Sequence, residues 1–122
     1  MAKRWSYKDL VVWNKAMDIT VLVYQITTSH FPDDERFGLT SQIRRASSSM
    51  PLNIGEWNER HSDKVFAQFL QTAKWSCTEV QIAIELAFRL KYIDQIIFDK
   101  IMSDSNEIQR MIWWLLWRLS QL

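Results

Sequence analysis

Between Gly38 and Arg60 the chain carries an apolar row at helical spacing, and a proline sits inside that row. Leu39, Ile43, Ala46, Met50, Ile54 and Trp57 recur every three or four residues, which draws one stripe along a helix of about six turns. Pro51 has no backbone N–H and crowds the carbonyl of Ser47, so a kink is expected there. Ser47, Ser48 and Ser49 supply hydroxyls able to bond the freed backbone groups.

The flanking segments repeat the helical period. Val12, Ala16, Ile19, Val23 and Ile26 form one row and Trp13, Met17, Thr20, Tyr24 and Thr27 the row beside it, together predicting a first helix from Ser6 or Tyr7 to Thr28 with a broad inward face. His30 to Glu35 reads as a turn: Pro32 stops the preceding helix, and the acids suit the positive end of the next. The second helix is expected to begin between Glu35 and Leu39 and to run to about Asn58. Ser62 is a candidate N-cap for a third helix reaching Lys91, with Phe66, Phe69, Ala73, Ser76 or Cys77, Val80, Ala83 or Ile84, Ala87 and Leu90 inward. Asp94 is the candidate cap for a fourth, extending to Gln121, with Ile97, Ile101, Ile108, Met111, Ile112, Leu115 and Leu119 inward. Ser103 to Asn106 is a polar stretch where that helix is expected to start, break or bend. Short polar turns joining four such segments predict an all-α, antiparallel up-down-up-down four-helix bundle formed by residues 1–122 as one domain.

Two of these helices carry more apolar surface than a bundle core needs. Trp75, Ile82 and Leu86 fall opposite the inward row of the third helix, among Lys64, Gln68, Gln71, Glu79 and Arg89. Trp113 and Trp117 likewise turn away from the inward row of the fourth, with Trp114 on its flank. Single exposed apolar residues are ordinary, but three in register along the back of a helix point to a protein interface. Trp75, Ile82, Leu86, Trp113, Trp114 and Trp117 are therefore the candidate interface residues, with Trp57 a weaker one.

Little else offers chemistry. His30 and His61 each lie near a turn without a second ligand at metal spacing. Cys77 falls on an inward row, where an inert thiol is expected. Neither a glycine-rich phosphate loop nor a His-Glu-x-x-His motif occurs, so no catalytic, metal or cofactor site is expected, and the chain reads as a non-enzyme. Arg44 and Arg45 invite a phosphate contact, but pairing with acids such as Glu56 is the simpler reading. Arg60, four residues from Glu56, has salt-bridge spacing. A net charge of +1 argues against a generally basic nucleic-acid binder. The sole cysteine fits a reducing compartment. Residues 1–6 show no apolar run of the secretory kind, and the dense run Met111 to Trp117 is far shorter than the ~20 residues of a membrane span. A cytoplasmic protein without membrane contact is expected.

Tyr7-Lys-Asp-Leu-Val-Val-Trp-Asn-Lys-Ala16, Phe31-Pro32, Gly38-Leu-Thr-Ser-Gln-Ile-Arg-Arg-Ala46, Pro51-Leu-Asn-Ile-Gly-Glu56 and Arg60 resemble the four-helix-bundle proteins encoded in intervening sequences of 23S ribosomal RNA genes. The likeness continues more weakly through Phe69-Leu70 and Leu90 to Asp94. It implies the bundle fold, a ring-shaped homo-oligomer of the pentamer type, and no established biochemical activity. A more distant similarity to the accessory variability proteins of diversity-generating retroelements implies the alternative role, a nucleic-acid or reverse-transcriptase accessory using Arg44, Arg45 and Arg60. Where such proteins carry small residues, this chain has Trp57, Glu59 and Trp75. Either it is a divergent natural member or its surface has been rebuilt by engineering; in both cases these positions would face a new contact, with further copies or a second protein component.

Overall fold

The computed structural model describes residues 6–121; the first five residues, part of the stretch read above for a secretory signal, lie outside it. Four α-helices make up nearly all of the described chain: α1 (Val11–Ser29), α2 (Leu39–Ile54), α3 (Asp63–Arg89) and α4 (Gln95–Ser120), with single 3-10 turns at Tyr7–Asp9 and Asp33–Glu35. No strand occurs among the described residues. Helix α1 packs on α2 and α4, and α3 packs on the same two, so α1 and α3 stand diagonally across the core.

Helix boundaries follow local chemistry. The Ser62 hydroxyl accepts the Val65 N–H and the Asp94 carboxylate accepts the Ile97 N–H, starting α3 and α4 where the sequence placed them. Helix α1 starts later than expected, because Tyr7–Asp9 form a 3-10 turn and Leu10 is extended. Helix α2 ends at Ile54 rather than Asn58, so Trp57 lies beyond the helix, where its ring packs edge-on against Phe66 at 4.7 Å between centroids. The α3 terminus closes with Tyr92 N–H bonded to the Ala87 carbonyl and Lys91 N–H to that of Phe88, a pattern that puts Lys91 in the left-handed region at φ 64°.

Pro51 stays inside α2. The carbonyl it deprives of a partner, that of Ser47, lies 2.9 Å from the Thr20 hydroxyl on α1, which also lies 2.8 Å from the Ala16 carbonyl. Relief therefore comes from the neighbouring helix and not from the serine run. Ser47 and Ser48 instead donate to the carbonyls of Arg44 and Arg45, and the Ser49 hydroxyl accepts from Ser76 on α3 at 2.7 Å. Nor does Ser103 to Asn106 interrupt α4. Ser105 is buried, and its hydroxyl and the Asn106 side-chain oxygen Oδ1 both accept from the Gln81 side-chain amide of α3. Polar residues inside both helices are tolerated because a facing helix satisfies them.

One core cluster joins all four helices, with Ile19, Ile43, Met50, Ile54, Phe66, Leu70, Ile84, Ile101, Ile108 and Ile112 among its fully buried members. Two expected rows shift. In α3, Leu70 takes an inward place while Leu90 is exposed. In α1, Val12, Ala16, Ile19, Val23 and Ile26 are all buried, but of the second row only Thr27 is; Trp13 and Thr20 are half-buried and Met17 and Tyr24 exposed. At the end of the bundle where α1 meets α2, the Glu35 carboxylate accepts the Leu39 N–H at 3.2 Å and the Tyr92 hydroxyl at 2.9 Å, tying that turn to the one between α3 and α4.

Candidate functional site

The residues singled out by periodicity stand outside the core. Trp75, Ile82 and Leu86 on α3 are 61%, 65% and 46% exposed, and Trp113, Trp114 and Trp117 on α4 are 58%, 53% and 47% exposed. Helix geometry fixes this: on α3 the inward positions Ala73, Cys77, Val80 and Ile84 are fully buried, and a residue two places before Cys77 or Ile84 lies roughly half a turn away. Glu79, also exposed, lies on the same outer line between Trp75 and Ile82. Full burial of such a side chain contributes about 1.5–3 kcal/mol, and roughly half of that is still to be gained from the area left uncovered here.

The three α4 tryptophans do not share one environment. Trp113 lies one turn beyond Gln109, whose amide donates to the Lys74 carbonyl and the Thr78 hydroxyl of α3, so it flanks the α3–α4 seam. Trp114 lies toward α1, where it lines a groove of about 450 Å³ together with Leu10, Val11, Met111, Leu115, Glu107 and Arg110. Glu107 is held there by Lys15 at 3.1 Å. Trp57, by contrast, packs against the core and is no part of the exposed set.

A further apolar stripe escaped the sequence reading. Met17, Val21 and Tyr24 are exposed along the back of α1. Their spacing of four and then three residues is visible in the sequence, but Met17 and Tyr24 also continue the period of the buried row. Only the placement of α2 decides where the inward face stops.

Arg44 and Arg45 are engaged within the chain. Arg44 donates through Nε to the Thr27 hydroxyl at 2.8 Å and through Nη2 to the Thr28 hydroxyl at 3.0 Å, and its guanidinium lies 4.7 Å from the Tyr24 ring centroid. It pins α2 to α1 rather than pairing with Glu56. Arg45 donates to the Gln42 side chain at 3.1 Å. Glu56 meets His61 at 3.1 Å, not Arg60, whose backbone N–H is bonded by the Asn58 side chain.

Cys77 is buried, its thiol 3.4 Å from the Ser105 carbonyl, and burial pushes it up to about 12. Such a thiol is neutral at physiological pH and a poor nucleophile. The Tyr92 phenol is held above its ordinary range, chiefly by its hydrogen bond to Glu35. Among the described residues no three His, Cys, Asp or Glu side chains gather as a metal site, and no helix is long and apolar enough to cross a membrane.

Comparison with known proteins matches this arrangement to a defined group. A crystal structure of a protein of unknown function from the S23 ribosomal protein family of Bacteroides thetaiotaomicron is similar, with a TM-score of 0.79 and 25% identity over 87% of this chain and 98% of that one. No curated protein matches the sequence. The sequence pattern of the 23S rRNA-intervening sequence protein family matches residues 8–113, a span that takes in α1, α2, α3 and most of α4. The chain belongs to the 23S rRNA-intervening sequence protein family.

Proposed function

We propose that this chain is a non-catalytic, self-associating scaffold: an antiparallel up-down-up-down bundle whose outer faces join it to further copies in a closed ring of the pentamer type. The observation that carries this reading is the coexistence of a complete core with large, aligned apolar side chains outside it. A lone domain of this size gains nothing from displaying Trp75, Ile82 and Leu86 in one line. The alternating helix direction is supported by the order of contacts: Thr20 reaches Ser47 while Thr27 receives Arg44, and Gln81 reaches Ser105 while Thr78 receives Gln109. The absence of catalysis is supported by a buried, neutral Cys77 and by a His61 engaged with Glu56. Trp114 and Trp117 of α4 are left to take a second protein component once the ring has formed.

Light scattering on the purified chain tests the proposal, with a mass well above the single-chain 14.6 kDa expected at micromolar concentration. Replacing Trp75 and Trp113 together by Glu should lower that mass while helical circular dichroism persists. A monomeric parent overturns the proposal. A mobility-shift titration separates it from the accessory role, since RNA binding that falls steeply with salt would favour nucleic acid as the partner.

A further inference from the structure

We infer that the occupant of the α3 outer stripe is the outer stripe of α1 on a second copy of this chain, so that two unlike faces meet. This rests on the self-association proposed above and says which surfaces make it. The stripes match in length and spacing. Met17, Val21, Tyr24 and Thr28 fall at intervals of four, three and four residues, and so do Trp75, Glu79, Ile82 and Leu86; each line runs about 16 Å at the rise of an α-helix. All eight positions are exposed. Because α1 and α3 stand diagonally across the core, their backs point to opposite sides of the bundle, and every copy presents one of each.

Charge selects this pairing over α3 against α3. Glu79 lies in the middle of its apolar line with no ion pair among the described residues, and the Tyr24 ring on the other face carries the Arg44 guanidinium, which is bonded to the Thr27 and Thr28 hydroxyls and to no carboxylate among the described residues. Docking α1 of one copy on α3 of the next brings that carboxylate toward that cation. Packing two α3 stripes on each other brings two Glu79 carboxylates together instead, a repulsive arrangement. An unlike-face contact also propagates: two docked copies still offer one free α1 face and one free α3 face, to which further copies add until the ring closes, whereas a self-paired stripe stops at two chains.

Two variants that each damage one face provide the test. Val21→Glu breaks the α1 face and Trp75→Glu the α3 face; both residues are more than half exposed, and circular dichroism checks that each variant keeps its helices. Analytical ultracentrifugation should find each alone as a single chain. Their equimolar mixture should form a two-chain species, because the intact α3 face of the first fits the intact α1 face of the second. Val21→Glu at parental mass, Val21→Glu as a self-dimer, or a mixture that stays monomeric would each overturn the inference while leaving self-association standing. A parent that is itself monomeric removes both. Glu79→Gln supplies a check that needs no apolar surface changed: losing the carboxylate should raise the dilution midpoint for dissociation about threefold, whereas an α3-to-α3 contact would be relieved of repulsion and its midpoint would fall.

Discussion

Helix α3 has two apolar faces that differ in everything except residue type. On the inner one, Phe66, Val80 and Ile84 are wholly buried among side chains from the other helices; on the outer one, Trp75, Ile82 and Leu86 touch solvent over about half their surface or more. Burial of the first set is part of folding and does not depend on protein concentration. Burial of the second would be a binding event that follows mass action. Hydrophobicity alone cannot tell these roles apart, but the response to dilution can.

The largest contrast comes from emptying the inner face. Phe66→Ala should cost about 3–5 kcal/mol at every concentration, because it leaves a cavity and removes the ring that Trp57 abuts; urea titration would show a lower midpoint at unchanged slope. If the loss disappears on dilution, the inner face is not a core.

Next comes alkaline pH. The Cys77 thiol is raised from 9.0 to about 12 in the fold, so the unfolded chain gives up this proton first. The stabilisation is complete below pH 9 and shrinks as pH rises toward 12, by at most about 1.4 kcal/mol per pH unit. Cys77→Ala should therefore show a shallower alkaline decline than the parent in paired melting curves.

At the margin between the faces the effect is smaller. Ser76→Ala removes a hydroxyl that donates to Ser49 on α2 and should cost about 0.5–1.5 kcal/mol, read from the shift in urea midpoint. The outer face gives the smallest change in the fold itself. For Trp75→Ser, stability of the dissociated chain should stay within about 0.5 kcal/mol of the parent, while the rise of Tm with protein concentration is lost. A Trp75→Ser chain that melts far lower even when dilute would assign Trp75 to the core.

The same division explains what could be read without coordinates. Ser62 and Asp94 announced the starts of α3 and α4 because capping is a local transaction between a side chain and the next turn. The α3 outer stripe was visible because it lies nearly opposite a row that had to be inward. Thr20 was legible only as part of a row: that its hydroxyl meets the carbonyl freed by Pro51 depends on α1 and α2 lying side by side. The polar run at Ser103 to Asn106 looked like an interruption for the same reason, since Gln81 lies more than twenty residues away in sequence. Met17 and Tyr24 were assigned inward because the width of a buried face depends on how closely its neighbours approach. Period reports direction around a helix; it does not report where the neighbour ends.

The buried thiol has a practical consequence. Cys77 is the only cysteine in the chain and is sealed inside α3, so it should stay silent toward maleimide reagents while the protein is folded. A cysteine placed at an exposed site away from both outer stripes, such as Ser41 or Ser103, would then be the one position that takes a fluorophore, with no need to strip the native residue first. Energy transfer between donor-labelled and acceptor-labelled copies could follow the approach of neighbouring chains in real time.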